Sequence, residues 1–209
     1  MTLNLIGAIA AICLYILAAV LINKGRIAAG VLQPKNLLWI AGAAALFHGL
    51  TLFNIIFTPR GMNMSTFYAL SIIGWLAALL FISASFTKPV ERLGIVILPL
   101  AAVMVCLQIL FPGDHIIAPV GIWQLQTHIL FSLFAISMLY LAAVQAVLLY
   151  VQDSQLHAKH LGKFVRRLPP LQIMEDLLFQ IIVVGFLLLS IALITGVIFI
   201  EDLFAKGHA

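Results

Sequence analysis

The chain has 209 residues, of which 64% are apolar and only 9% are charged, and its mean hydropathy is +1.20. A soluble domain carries about 25% charged residues, so this composition excludes a soluble globular protein and a disordered one. The 11 Lys and Arg exceed the 7 Asp and Glu, but membrane topology explains that excess, and nucleic-acid binding is not expected.

Six apolar stretches are long enough to cross a bilayer, since a helix needs about 20 residues for about 30 Å of hydrocarbon. In chain order they cover residues 4–22, 37–57, 66–86, 93–111, 125–151 and 177–200. We therefore predict an all-α polytopic transmembrane helix bundle, a single domain over residues 1–209 in contact with the lipid bilayer. A cleavable signal peptide is not expected, because the first stretch lacks a basic start and a small-residue cleavage site.

The basic residues predict the orientation of these spans. Nine of the 11 lie in the connections after spans one, three and five, and only Arg60 and Lys206 lie in the other connections and the tail. The positive-inside rule then places the basic connections in the cytoplasm and both termini outside. The sequence is therefore expected to be that of a multi-pass membrane protein.

Prolines and carboxylates mark several borders of the spans. Pro169 and Pro170 are expected to stop the fifth helix, and Glu175 and Asp176 to open the sixth, where carboxylates suit a helix N-terminus. Pro99 lies inside span four and is expected to kink it.

Two histidines are the ionisable residues that lie within the spans, and buried ionisable residues are the usual place to look for function in a membrane protein. His48 lies about 13 Å of helix from the outer end of span two, and His128 about 5 Å from the outer end of span five. Small residues surround both, and Gly49 would let backbone or a flat ligand approach. A neutral imidazole is a common metal and haem-iron ligand, but each ring could equally hydrogen-bond within the bundle. Their different depths argue against both binding one iron.

Three further residues are candidates for contact with a ligand at the outer surface. His115 lies in the connection after span four, His208 in the tail, and Trp123 at the start of span five. Trp123 could stack on a ligand, although a tryptophan at this depth is also typical of an interfacial anchor. The two cysteines, Cys13 and Cys106, form no CxxC motif and are interpreted as apolar filler.

Several segments resemble the cytochrome c assembly (CcsA/HemX-type) family of membrane proteins over roughly residues 45–200. The segment 61–71 with Trp75 resembles the loop and helix start of that family, and Leu125-Gln126-Thr127-His128 is similar to its Leu-Gln-x-His helix start. Leu168-Pro169-Pro170-Leu171, Gly185-Phe186 and Thr195-Gly196 follow in the family's order.

The resemblance implies a membrane protein that binds or handles haem, with haem b as the expected cofactor, for cytochrome maturation. An enzyme is not expected, because the sequence shows no nucleophile with an adjacent base, no phosphate loop and no carboxylate dyad. It implies ligand roles for His128 and His48. Residues 197–209 contain no tryptophan, whereas haem-presenting members carry a tryptophan-rich loop there and tend to have further spans. The pattern therefore looks most like the YpjD-like branch, and suggests a shortened or truncated member.

The missing tryptophan-rich loop favours an alternative function without haem. In that alternative the chain is an accessory subunit that modulates a partner membrane protein, such as a transporter. It would use the small-residue faces of spans two and five, including Ala45 and Ala135, as its docking surfaces. A solute transporter is disfavoured, because no carboxylate or basic residue lies in the middle of a span.

Overall fold

The structure is a computed structural model that describes residues 2–24, 34–88, 90–117, 123–158, 162 and 165–206. It confirms the predicted all-α fold, with six helices long and apolar enough to cross a membrane. The helices are α1 (Thr2–Asn23), α2 (Pro34–Ile56), α3 (Thr66–Thr87), α4 (Gly94–Leu110), α5 (Trp123–His157) and α6 (Leu171–Lys206). The side of the membrane that each end faces, and the treatment of residues 1–209 as one domain, remain predictions.

Small residues allow the first four helices to pack closely around a shared core. Helix α1 packs on α2 and α4, and α3 packs on α2 and α4. Alanines supply many of the buried contacts, among them Ala18 in α1, Ala44 in α2, Ala78 in α3 and Ala101 in α4. Small side chains let helix backbones approach, which is how membrane helices gain packing energy without a hydrophobic effect between them.

Helices α5 and α6 form a long antiparallel pair that joins the rest of the bundle mainly through contacts between α3 and α5. Helix α5 has 35 residues, or about 52 Å of helix, which exceeds the hydrocarbon thickness and extends past the predicted end at residue 151. At the end of α5, Gln152 Nε2 donates a hydrogen bond to Pro169 O at 2.9 Å, and Gln145 Nε2 donates one to Met174 O at 3.1 Å. Both bonds tie α5 to the Pro-Pro segment and the start of α6.

One local prediction needs correction. Helix α6 begins at Leu171, so Glu175 and Asp176 lie in its second turn and do not open the helix. Two prolines directly precede Leu171. Because a residue before a proline disfavours the helical conformation, the helix begins only after them. Pro99 lies inside α4, which continues on both sides of it.

A small antiparallel sheet, which the sequence analysis did not predict, joins the ends of the helices on one side of the bundle. Its strands are β1 (Phe57–Thr58), β2 (Gly61–Asn63) and β3 (Ile116–Ile117), with β2 in the centre. Met62 pairs with both Phe57 and Ile117. Gly61 has a φ of 131°, a conformation that glycine adopts readily and that turns the chain between β1 and β2. We call this side of the bundle the sheet end.

Candidate functional site

His48 lies in α2 at the centre of a buried polar cluster. Its Nε2 atom lies 2.9 Å from Ser71 Oγ on α3, and its Nδ1 atom lies 3.3 Å from Tyr15 OH on α1. His48, Tyr15 and Ser71 are fully buried. Both ring nitrogens are therefore engaged with hydroxyl groups, and the cluster joins three helices, as expected for polar groups that must find partners in an apolar interior.

The group that packs against Gly49 is a side chain of the protein itself and not a ligand. A Cβ atom at Gly49 would lie 2.8 Å from Cζ2 of Trp75, so the indole ring packs directly on the glycine. Trp75 Nε1 also donates a hydrogen bond to Ala45 O at 2.7 Å. The flat group expected against Gly49 is therefore Trp75 in this structure.

His128 lies at the interface between α5 and α6, where its Nδ1 atom is 3.2 Å from Thr195 Oγ1. The Thr195 hydroxyl donates its single proton toward Ile191 O and Ala192 O, each at 3.0 Å. When the hydroxyl proton goes to one of these carbonyls, Thr195 Oγ1 can accept a hydrogen bond from Nδ1–H of the imidazole. In that tautomer the lone pair of His128 lies on Nε2, the second ring nitrogen.

Glycines on α6 create the space that α5 needs in this interface. A Cβ at Gly196 would lie 3.0 Å from His128 Cε1, and one at Gly185 would lie 3.1 Å from Leu139 Cδ2. Ala135, on the same small-residue stripe as His128, is fully buried. The Leu-Gln-x-His, Gly-Phe and Thr-Gly segments thus meet in one helix pair.

A groove of about 530 Å³ opens between α2, α3, α5 and the sheet end. Its volume falls within the range of about 300–1,000 Å³ that is typical of ligand pockets. The lining is almost entirely apolar and aromatic, with Gln126 as its amide-bearing residue. The lining residues are Gly49, Leu52, Phe53, Ile56, Phe57, Met62, Met64, Ile72, Trp75, Gln126, Ile129, Leu130 and Leu133.

The two membrane histidines lie outside this groove. Gln126, Ile129, Leu130 and Leu133 share one face of α5 at helical spacing, and His128 lies on the opposite face, toward α6. His48 points toward α1 and α3. A second cavity, of about 260 Å³, lies between α3, α4, α5 and α6 and is lined by Phe81, Ile97, Met138, Gln145 and Leu177 among others.

The other predicted site residues are not brought together with either membrane histidine. His115 is exposed at the sheet end, and Trp123 begins α5, while the Trp123 side chain and all of His208 lie outside the described residues. Within the described part of the chain, no group of three or more His, Cys, Asp or Glu could hold a metal ion. A metal centre here would need other donor atoms, such as thioethers.

Sequence reasoning missed the partners of both histidines. Tyr15 and Ser71 are polar residues inside apolar spans, which is a usable signal, but nothing in their spacing indicates that they meet His48. Thr195 was noticed as part of a motif and not as a neighbour of His128. The proposed docking faces also need correction, because Ala45 and Ala135 are buried inside the chain's own bundle.

Comparison with known proteins finds a family and several relatives from the bacterial inner membrane. The profile of the family described as "Cytochrome C assembly protein" matches residues 37–209. The inner membrane protein YpjD of Escherichia coli K12 is 29% identical over 152 residues, and the YpjD proteins of the O6:H1 and O157:H7 strains match equally. The match covers 71% of this chain and 56% of the relative's length. No solved structure matches. The chain belongs to the cytochrome c assembly protein family.

Proposed function

We propose that this protein is a multi-pass protein of the bacterial inner membrane that binds haem b, or hands it on, during cytochrome maturation, with His128 as a ligand to the iron. The hydrogen bond between His128 and Thr195 carries this proposal. A histidine that binds a metal through one ring nitrogen usually donates the proton on the other to a neighbouring acceptor, which fixes its tautomer and orientation. Thr195 Oγ1 can act as such an acceptor, because its own proton has two carbonyl oxygens at 3.0 Å, and the corresponding tautomer has its lone pair on Nε2.

The membrane setting supports a porphyrin near His128. Neutral imidazole is the common axial ligand of haem iron, and a surrounding apolar environment excludes water from the ring. Close to His128, α6 offers Gly196, which leaves the imidazole room on that side, and exposed aliphatic side chains such as Ile194 and Val197. When bound, haem would supply the redox-active iron, and the chain would supply ligation and shielding.

His48 does not fit a ligand role in the same way. Both of its ring nitrogens are hydrogen-bonded to hydroxyl groups, and the ring is fully buried. Iron ligation would require at least one of these bonds to break and α1, α2 or α3 to move. We therefore assign His48 to the packing of these helices and place the ligand role on His128.

The Tyr15–His48–Ser71 cluster resembles a nucleophile and base in composition, but we do not propose an enzyme. A catalytic serine needs room for a reacting carbonyl about 3 Å from its oxygen. Ser71 and His48 are fully buried and line neither described cavity. Binding or transfer of a cofactor is a better match to these surroundings than a chemical conversion.

The absorption spectrum of the purified protein tests the proposal. The protein in detergent is titrated with haemin, and a Soret band that saturates at one haem per chain is expected. His128→Ala should weaken haem binding by at least about tenfold, because it removes the proposed ligand. His115→Ala is the matched control, since that imidazole is exposed at the sheet end, and it should leave the spectrum unchanged.

Other outcomes of this titration would contradict the haem proposal or the assignment of its ligand. If no Soret band forms, or if the band of His128→Ala matches that of the unaltered protein in position and affinity, the haem proposal fails. If the band is lost in His48→Ala while His128→Ala keeps it, the ligand assignment is wrong. Circular dichroism of each variant establishes that a loss of binding is not a loss of helical structure.

A further inference from the structure

Two methionines of the sheet end lie on the same face of one strand. Met62 lies in β2, and Met64 directly follows Asn63, the last residue of β2. Residues two apart on an extended strand point to the same side, and both methionines line the groove. The intervening Asn63 is buried on the other side of the strand. The sequence analysis noted this segment for its resemblance to the family and gave the two sulfur atoms no role.

The register of the sheet brings a histidine to the same face. Met62 pairs with Ile117 and Asn63 with Ile116, so Met64 stands opposite His115. Met64 N donates a hydrogen bond to His115 O at 2.8 Å, so the two backbones stay adjacent just beyond the paired strands. Residues directly opposite in an antiparallel pair share a face, with Cβ atoms about 4.5–5.5 Å apart. Continuing the register by one residue, we expect Met62, Met64 and His115 to lie on one side of the sheet.

The backbone that carries His115 is held firmly in place. Asn63 Nδ2 donates a hydrogen bond to Gly113 O, and Asn63 Oδ1 accepts one from His115 N, both at 3.0 Å. Asp114, between these residues, lies 3.3 Å from Arg60 on the β1–β2 turn. Asn63 thus fixes residues 113–115 against β2, and the relative positions of the two strands are set before any ligand binds.

We propose that Met62, Met64 and His115 form a binding site for a monovalent soft metal ion, Cu(I), at the sheet end. Thioether sulfurs select Cu(I) among the biological metals, and imidazole also suits copper. All three donors are neutral when they bind. Near an apolar groove, a neutral donor set favours a monovalent cation, because the cost of removing an ion from water rises steeply with its charge.

The local charge is compatible with such an ion. Arg60 is the basic residue on the neighbouring turn, and its charge is balanced by Asp114. Flexible methionine side chains also adapt readily to the geometry that a metal prefers. This site is separate from the proposed haem ligand, since His128 faces α6 on the far side of α5 from the groove.

The test is an anaerobic Cu(I) competition titration of the full chain in detergent, with ascorbate as reductant and a chromogenic Cu(I) chelator as competitor. One Cu(I) per chain is expected. Met62→Leu and Met64→Leu should each raise the Kd by at least about tenfold, since even loss of a contact outside the first coordination shell costs about 10–100-fold. Leu replaces Met with little change in volume, so these variants should fold.

Met138→Leu is the matched control, because it removes a thioether from the smaller cavity and from neither strand. Its Kd should equal that of the unaltered protein. X-ray absorption at the copper edge of the unaltered protein should show two sulfur neighbours and one nitrogen neighbour. The proposal is overturned if the double variant Met62→Leu/Met64→Leu keeps the original Kd, or if the spectrum shows no sulfur. Neither result depends on the Soret band, so the copper and haem proposals fail independently.

Discussion

The indole ring of Trp75 on α3 lies directly on the backbone of Gly49 on α2, and its Nε1 atom donates a hydrogen bond to Ala45 O one turn earlier. Both residues of this contact line the groove. The glycine is required by this packing, because any Cβ would collide with the ring.

Gly49→Ala is therefore expected to destabilise the protein. Its Cβ would lie 2.8 Å from Trp75 Cζ2, so the indole must shift and weaken its bond to Ala45 O. Overpacking of this kind typically costs about 1–3 kcal/mol. Thermal unfolding in detergent measures the effect. Gly42→Ala on the same helix is the control, because a Cβ there meets no atom within 4 Å, and a similar loss in both variants would contradict the argument.

Thr195 should influence haem affinity without contacting the iron. Thr195→Val keeps the shape of the side chain but removes the oxygen that we propose as the acceptor of the proton on His128 Nδ1. Loss of such a supporting hydrogen bond typically weakens metal binding by about 10–100-fold. Haemin titration measures this, and Thr195→Ser, which restores a hydroxyl, should recover most of the affinity. Equal affinity in the Val variant and the unaltered protein would remove the positioning role from Thr195.

The His48 cluster should contribute to stability and not to haem binding. His48→Ala leaves Tyr15 OH and Ser71 Oγ buried without this partner, and each unsatisfied group costs about 1–3 kcal/mol. A double-mutant cycle of His48→Ala and Ser71→Ala should give a coupling energy of about 0.6–1.7 kcal/mol, the range for hydrogen bonds between membrane helices.

Ser83→Ala is the control for this cycle. Ser83 lies on the same helix as Ser71 but is exposed, and its hydroxyl donates to Leu80 O of its own helix. It should show no coupling to His48→Ala. A coupling energy near zero for Ser71 would mean that the bond between His48 and Ser71 contributes nothing to stability.

Ala135 distinguishes internal packing from docking of a partner. Ala135→Phe should lower the free energy of unfolding by about 1–3 kcal/mol, because the alanine is fully buried in the chain's own bundle. Ile136→Phe introduces the same ring at the next position, where the side chain is exposed, and should have little effect. If Ala135→Phe leaves unfolding unchanged but removes a co-purifying membrane protein, that result would support the accessory-subunit alternative, with Ala135 in its docking surface.

Substitution of Gln108 is expected to stabilise the fold, in contrast to the destabilising substitutions above. The residue is buried on α4, and neither atom of its amide has a hydrogen-bond partner within the described part of the chain. Gln108→Leu removes these polar atoms at similar volume and is expected to raise the free energy of unfolding by about 1–3 kcal/mol. A decrease in thermal stability would indicate that the amide has a partner, such as a buried water.

The sequence predicted the six helices because each span is a long apolar run, and nothing else in the chain competes with that signal. The start of α6 was predicted six residues too late, because Glu175 and Asp176 resemble helix openers although Leu171 already follows two prolines. The sheet was missed, since strands of two or three residues show no measurable alternation. The partners of His48 and His128 come from other helices, and their approach depends on helix rotations that one sequence does not specify.

Both cavities lie along the seam between two groups of helices, α1–α4 on one side and the α5–α6 pair on the other. The walls of each cavity therefore belong to both groups. A molecule bound in the groove would therefore contact α2 and α3 on one side and α5 on the other, so that it would bridge the two groups of helices.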